Sequence, residues 1–161
     1  MPILSFLLCS VVLACFLFIA FRIRRGYRIR RDFFVDCVRF CDHLLTEINF
    51  SKNTIGQVIE RYIDTYSPQF VELLLKYSHM QVQNADITRE GLKTFIERDD
   101  VADFFYELGK HSAEEECEKI KSARLRFEAH LSAARERLSK DASIYFKICI
   151  IVGVGVVIIL I

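Results

Sequence analysis

With 161 residues the chain has room for one modest domain rather than two. Its formal charge of +1 averages two unlike regions: residues 22–31 carry six arginines and no acid, while residues 32–143 carry 15 basic and 21 acidic side chains. A net negative body argues against a nucleic-acid binder, which places its positive charge on the folded surface, and the scarcity of Gly and Pro between residues 27 and 143 argues against disorder.

Taken in chain order, residues 3–21 are uncharged. As a helix they would rise about 28 Å, close to the roughly 30 Å of a bilayer's hydrocarbon core. A cleavable signal has its positive charge before the apolar run; here the arginines follow it. The segment therefore reads as a retained transmembrane helix. Arg22, Arg24, Arg25, Arg28, Arg30 and Arg31 are then expected to contact a membrane surface and to set topology, because basic residues favour the cytoplasmic side.

The body between residues 22 and 143 carries a helical period almost throughout. The first body helix is expected over about 27–48, with Phe33, Cys37, Cys41, Leu44 and Ile48 on one face and Phe34, Val38 and Leu45 beside them. A turn follows at NFSKN. Asn53 or Thr54 can cap a second helix bearing Ile55, Val58, Ile59, Tyr62 and Ile63. Ser67 and Pro68 mark the start of a third helix with Phe70, Leu73, Leu74 and Tyr77 as its stripe. QVQNAD reads as a loop. A short fourth helix is expected around Leu92, Phe95 and Ile96, and a fifth, capped by Asp99 or Asp100, carries Val101, Phe104, Phe105 and Leu108 up to Gly109.

The last body helix is the clearest. Ser112 and Glu115 have capping-box spacing, and Ala113, Cys117, Ile120, Arg124, Phe127, Leu131, Ala134 and Leu138 alternate by four and three. Arg124 is the one charged member of that seam, and is expected to act as a specificity device there. Residues 144–161 form a second apolar run, interrupted only by Lys147, and read as a second transmembrane helix. The expected fold is thus all-α: a membrane-anchored antiparallel helical bundle, 22–143, between transmembrane helices at 3–21 and 144–161. Both termini would lie outside and the body in the cytoplasm.

Little in the chain suggests chemistry. Cys37 and Cys41 are four apart and share a face, but His43 points elsewhere and no second cysteine pair follows, so they read as small buried apolar groups. Of the six cysteines, Cys9, Cys15 and Cys149 lie in the apolar ends and Cys37, Cys41 and Cys117 in the body, which fits reduced thiols. No glycine-rich phosphate loop, HExxH or GxSxG occurs. The expectation is a non-enzyme without metal or cofactor.

Three stretches carry a resemblance: LLTEINFSKNTIGQVIE at 44–60, LGKHSAEEECEKI at 108–120 and YFKICIIVGVGVVIILI at 145–161. In this order and length the chain resembles the stage III sporulation protein AB family of endospore-forming bacteria. That resemblance implies a non-enzymatic inner-membrane platform of the channel or secretion-like complex between mother cell and forespore. It also implies a body like that of type II secretion F and type IV pilus platform proteins. The implied partners are the lipid bilayer, an AAA-like secretion ATPase of the same operon, other stage III sporulation membrane proteins and further copies of the chain, with no nucleic acid. The implied placement is the bacterial cell membrane, multi-pass, with the body in the mother-cell cytoplasm. A self-contained membrane regulatory or sensing protein is the alternative.

Overall fold

The computed structural model describes the backbone of residues 2–50, 54–83 and 98–160, and the side chains of 10–48, 54–78, 99–141, 143–156 and 158. Its described elements are helical: α1 (Pro2–Phe50), α2 (Ile55–Tyr62), a 3-10 turn (Ile63–Thr65), α3 (Pro68–Gln83), α4 (Arg98–Glu107), α5 (Ala113–Ser139) and α6 (Asp141–Leu160). The expected helix around Leu92, Phe95 and Ile96 lies outside the described residues. The chain divides into two compact units, residues 1–31 with 132–161, and residues 32–131.

The unit of residues 32–131 holds the larger core. Along α1, Phe33, Phe34, Cys37, Phe40, Cys41 and Leu44 are buried, at the three- and four-residue spacing that lines up one helix face. Phe70, Leu73, Leu74 and Tyr77 of α3 bury their own stripe, as do Val101, Phe104 and Phe105 of α4 and Ile120, Ala123 and Phe127 of α5. The rings meet as a cluster. Phe40 lies 5.7 Å from Phe70 and 5.8 Å from Phe105, and Phe70 lies 5.6 Å from Phe33 and 5.1 Å from Tyr66.

Local signals set the element ends. Thr54 and Gln57 form a reciprocal capping box at the start of α2. Ser112 Oγ accepts from the Glu115 N–H at the start of α5. α3 begins at Pro68, where the missing N–H costs nothing, but Ser67 Oγ is buried without a hydrogen-bond partner among the described residues. The Ser67 N–H instead donates to Asp36 Oδ2 at 2.8 Å. α3 runs on through Gln83, so the first half of the expected QVQNAD loop is helical. Asp99 and Asp100 sit inside the first turn of α4 rather than before it.

In the other unit, α1 and α6 meet through Phe21 and Phe146, edge to face at 5.9 Å. Gly153 is buried against Phe16; a Cβ on it would stand 3.0 Å from Phe16 Cβ. Ala20 and Ala134 are buried there, while Phe18, Ile151 and Ile158 are each about two-thirds exposed. Between α5 and α6 only Lys140 interrupts the helix, and backbone bonds continue across it, from Lys140 N–H to Glu136 O and from Ile144 N–H to Lys140 O.

The expected anchors require correction. Among the described residues no helix is long and apolar enough to cross a membrane. The transmembrane helices at 3–21 and 144–161 are therefore withdrawn. With them go the membrane-anchored fold class, the multi-pass cell-membrane placement and the lipid bilayer as partner. The all-α architecture is what the structure supports.

Gly109 closes the segment after α4 with φ +84°, a conformation open to glycine and strained for residues with a Cβ. A Cβ there would also stand 2.8 Å from Ile55 Cδ1. Gly109→Ala should therefore cost about 1–2 kcal/mol in urea denaturation. An unchanged midpoint would show that this backbone is not held in the left-handed region.

Candidate functional site

The polar groups of the 32–131 unit converge on a second stripe of α1, next to the apolar one. Asp36, Arg39, His43 and Glu47 recur at three- and four-residue spacing, so they rise along one face. They meet α2, the 3-10 turn and the start of α3. Asp36 is buried and accepts the Ser67 N–H at 2.8 Å, and Arg39 lies 3.6 Å from it. Arg39 also donates to the Thr65 carbonyl at 3.3 Å. Glu47 is buried, accepting from Arg61 at 2.6 Å and from the Tyr62 hydroxyl at 3.1 Å.

His43 sits between these two pairs. Its ring stacks on Tyr62 at 3.9 Å between centroids, and its Nδ1 is 2.6 Å from the Tyr66 hydroxyl. Burial, and secondarily the Arg39 charge, lower the imidazole pKa from its ordinary 6.5. Burial also raises the Tyr66 phenol, with Asp36 nearby adding to the effect. A neutral imidazole beside a phenol that keeps its proton makes Tyr66 the donor and Nδ1 the acceptor.

Other polar contacts tie the remaining helices. Tyr77 donates to the Leu108 carbonyl at 3.3 Å, and Glu116 Oε1 accepts the Gly109 N–H at 2.8 Å. Glu116 Oε2 is buried with no hydrogen-bond partner among the described residues. Lys119 bridges Glu107 at 2.9 Å and His111 at 2.6 Å. His130 Nε2 lies 2.8 Å from Asp100 Oδ2.

The structure places the expected site residues as follows. Arg22, Arg24, Arg25 and Arg28 are exposed, and Arg30 and Arg31 half-buried, all on α1. Arg24 lies over the Phe146 ring, 5.9 Å from its centroid. Arg124 holds Asp42 of α1 through Nε at 2.6 Å and Glu128 through a second nitrogen at 2.8 Å. It is thereby drawn out of the apolar seam to a half-exposed ion pair. The Asp36–Arg39–His43–Glu47 stripe was not singled out from the sequence. Its signal is the regular spacing of ionisable residues beside an apolar stripe.

None of this activates a nucleophile. Cys37 and Cys41 are buried. Desolvation raises both thiols, Cys41 to about 12, which keeps them protonated and inert. Among the described residues no three His, Cys, Asp and Glu side chains are placed to hold a metal ion. The arrangement fastens helices together.

Against known proteins, the family model of stage III sporulation protein AB matches residues 5–161. No curated protein and no solved structure matches the chain. The expected inner-membrane platform role is corrected along with the anchors on which it stood, because no described helix is long and apolar enough to cross a membrane. The docking of a secretion ATPase on such a platform is withdrawn with it.

Arg61→Ala leaves the buried Glu47 carboxylate with a weaker set of donors, and should cost about 1–2 kcal/mol after allowance for the exposed guanidinium. Arg124→Ala removes a half-exposed pair and should cost about 0.5–1 kcal/mol; equal costs in urea melts would contradict this ranking. His43, with its folded pKa lowered, contributes stability that is present above 6.5 and lost as pH falls below that value. The urea midpoint should drop between pH 7.5 and 5.5, and His43→Gln should flatten part of that drop. An identical slope in the variant would remove His43 from the account.

Proposed function

The chain belongs to the stage III sporulation protein AB family, and we propose that it serves endospore formation as a helical component of a stage III assembly. In this reading its role is structural, with ionisable groups such as Glu47, Asp36 and Arg124 holding helices to one another. The observation that carries the proposal is the match over residues 5–161, which leaves only the first four residues outside it.

Two features support this reading. The ionisable groups of the 32–131 unit are spent on helix-to-helix contacts, as Glu47, Asp36 and Arg124 illustrate. In the other unit, large apolar side chains such as Phe18, Ile151 and Ile158 are exposed, and exposed apolar surface of that kind is a mark of association. The likeness of the body to type II secretion F and type IV pilus platform proteins is retained as a proposal about fold ancestry alone. Arg124, through its pair with Asp42, is proposed to fix the register of α5 against α1.

The test is genetic. In an endospore-forming host whose own family member is deleted, this chain should restore heat-resistant spores, and arrest without it should fall at stage III. Folded variants lacking single thiols or imidazoles, such as Cys117→Ser and His111→Gln, should restore spores equally well. Normal spore yield in the deletion strain would overturn the proposed role.

A further inference from the structure

Within the unit of residues 1–31 and 132–161, three helices enclose a groove that the structural role leaves unused. It is lined by Arg24 and Arg31 of α1, by Arg135, Leu138 and Ser139 at the end of α5, and by Ser143 and Phe146 of α6. The spacing explains the convergence. Arg24 and Arg31 are seven residues apart, two turns along one face and about 10 Å. Arg135 and Ser139 are four apart, and Ser143 and Phe146 three apart, so each pair shares a face of its own helix. The volume is about 470 Å³, within the range of small-molecule sites.

The charge is one-sided. Among the described residues, three arginines and two serines line the groove, and no acidic residue does. Glu136, next to Arg135 in the chain, is engaged by Lys140 at 2.7 Å, and Asp141 is not part of the lining. Arg24 rests over the Phe146 ring at 5.9 Å, a cation–π contact that restrains the long side chain. Arginine forks match the paired oxygens of phosphate, and serine hydroxyls add donors. A lone carboxylate would meet the charge of one arginine only.

We propose that this groove binds the diphosphate group of a small soluble molecule. Arg24 and Arg135 grip it from two helices, Arg31 adds charge at the far end, and Ser139 and Ser143 donate to the remaining oxygens. The inference is independent of the sporulation role, since it rests on this lining alone.

Inorganic pyrophosphate is the probe. The full-length protein is titrated calorimetrically at fixed ionic strength, with the pyrophosphate-induced rise in melting midpoint as a second readout. Binding should be saturable, and Arg135→Gln should weaken it about tenfold or more with the helical circular dichroism unchanged. Arg22→Gln removes the same charge from α1 but lies outside the groove, and should leave binding as it was. No binding by either readout overturns the proposal. So does equal weakening by both variants, which would mean diffuse attraction to the arginine run. Capture by phosphatidylglycerol vesicles without binding of pyrophosphate overturns it as well.

Discussion

Phe70 is the ring on which the 32–131 unit depends. α2 and α4 have eight and ten residues, too short to persist as helices in water without tertiary support. Phe70 is fully buried and contacts Phe33 and Phe40 of α1, Tyr66 before α3, and, at 6.4 Å, Phe105 of α4. Aromatic pairs of this geometry add about 0.5–1.5 kcal/mol each beyond their buried area. Several such pairs on one side chain outweigh any single ion pair in the unit. The helices around them are stable because this cluster lets them bury their stripes together.

The polar stripe works on top of that cluster. Apolar burial says that α1 must lie against α2 and α3, but not at which height. Asp36 accepting the Ser67 N–H and Glu47 accepting from Arg61 and Tyr62 are 11 residues apart on α1, about 16 Å along its axis. Two buried acceptors at that separation are both satisfied in one register only. A slip would strand one of them, at the cost of an unpaired buried carboxylate.

Much of the fold was legible from spacing, and the reason is local. Phe33, Cys37, Cys41 and Leu44 form a helical stripe in the sequence and are buried in the structure. So are Phe70, Leu73, Leu74 and Tyr77. Phe40, a centre of the aromatic cluster, escaped notice because α1 is apolar over more than half its circumference, and periodicity alone does not say which side faces the core. The polar contacts were less legible still. Glu47 finds its partners 14 and 15 residues on, Asp36 finds Ser67 at 31, and Arg124 reaches Asp42 across 82. Such pairs exist only after the helices have packed. The Ser-Pro start signal gave the right boundary for α3, but the acceptor of the Ser67 N–H, Asp36, lies 31 residues away, where no local pattern points to it. Apolar length at the two ends suggested membrane spans; among the described residues no helix is long and apolar enough for one.

The close seat of Gly153 against Phe16 has its own outcome. A hydrogen is the largest substituent that position tolerates without movement, since a methyl carbon would lie 3.0 Å from Phe16 Cβ. Its neighbours in the chain are Val152 and Val154, both branched at the first side-chain carbon. Along the same face of α6, three or four residues away, stand Cys149, Ile150 and Val156, each with a Cβ, so shifting α6 by one turn would put a larger residue against the phenyl ring. The missing side chain therefore acts as a notch that admits the ring at a single depth, so that alignment between α1 and α6 is enforced by shape with no hydrogen bond spent on it.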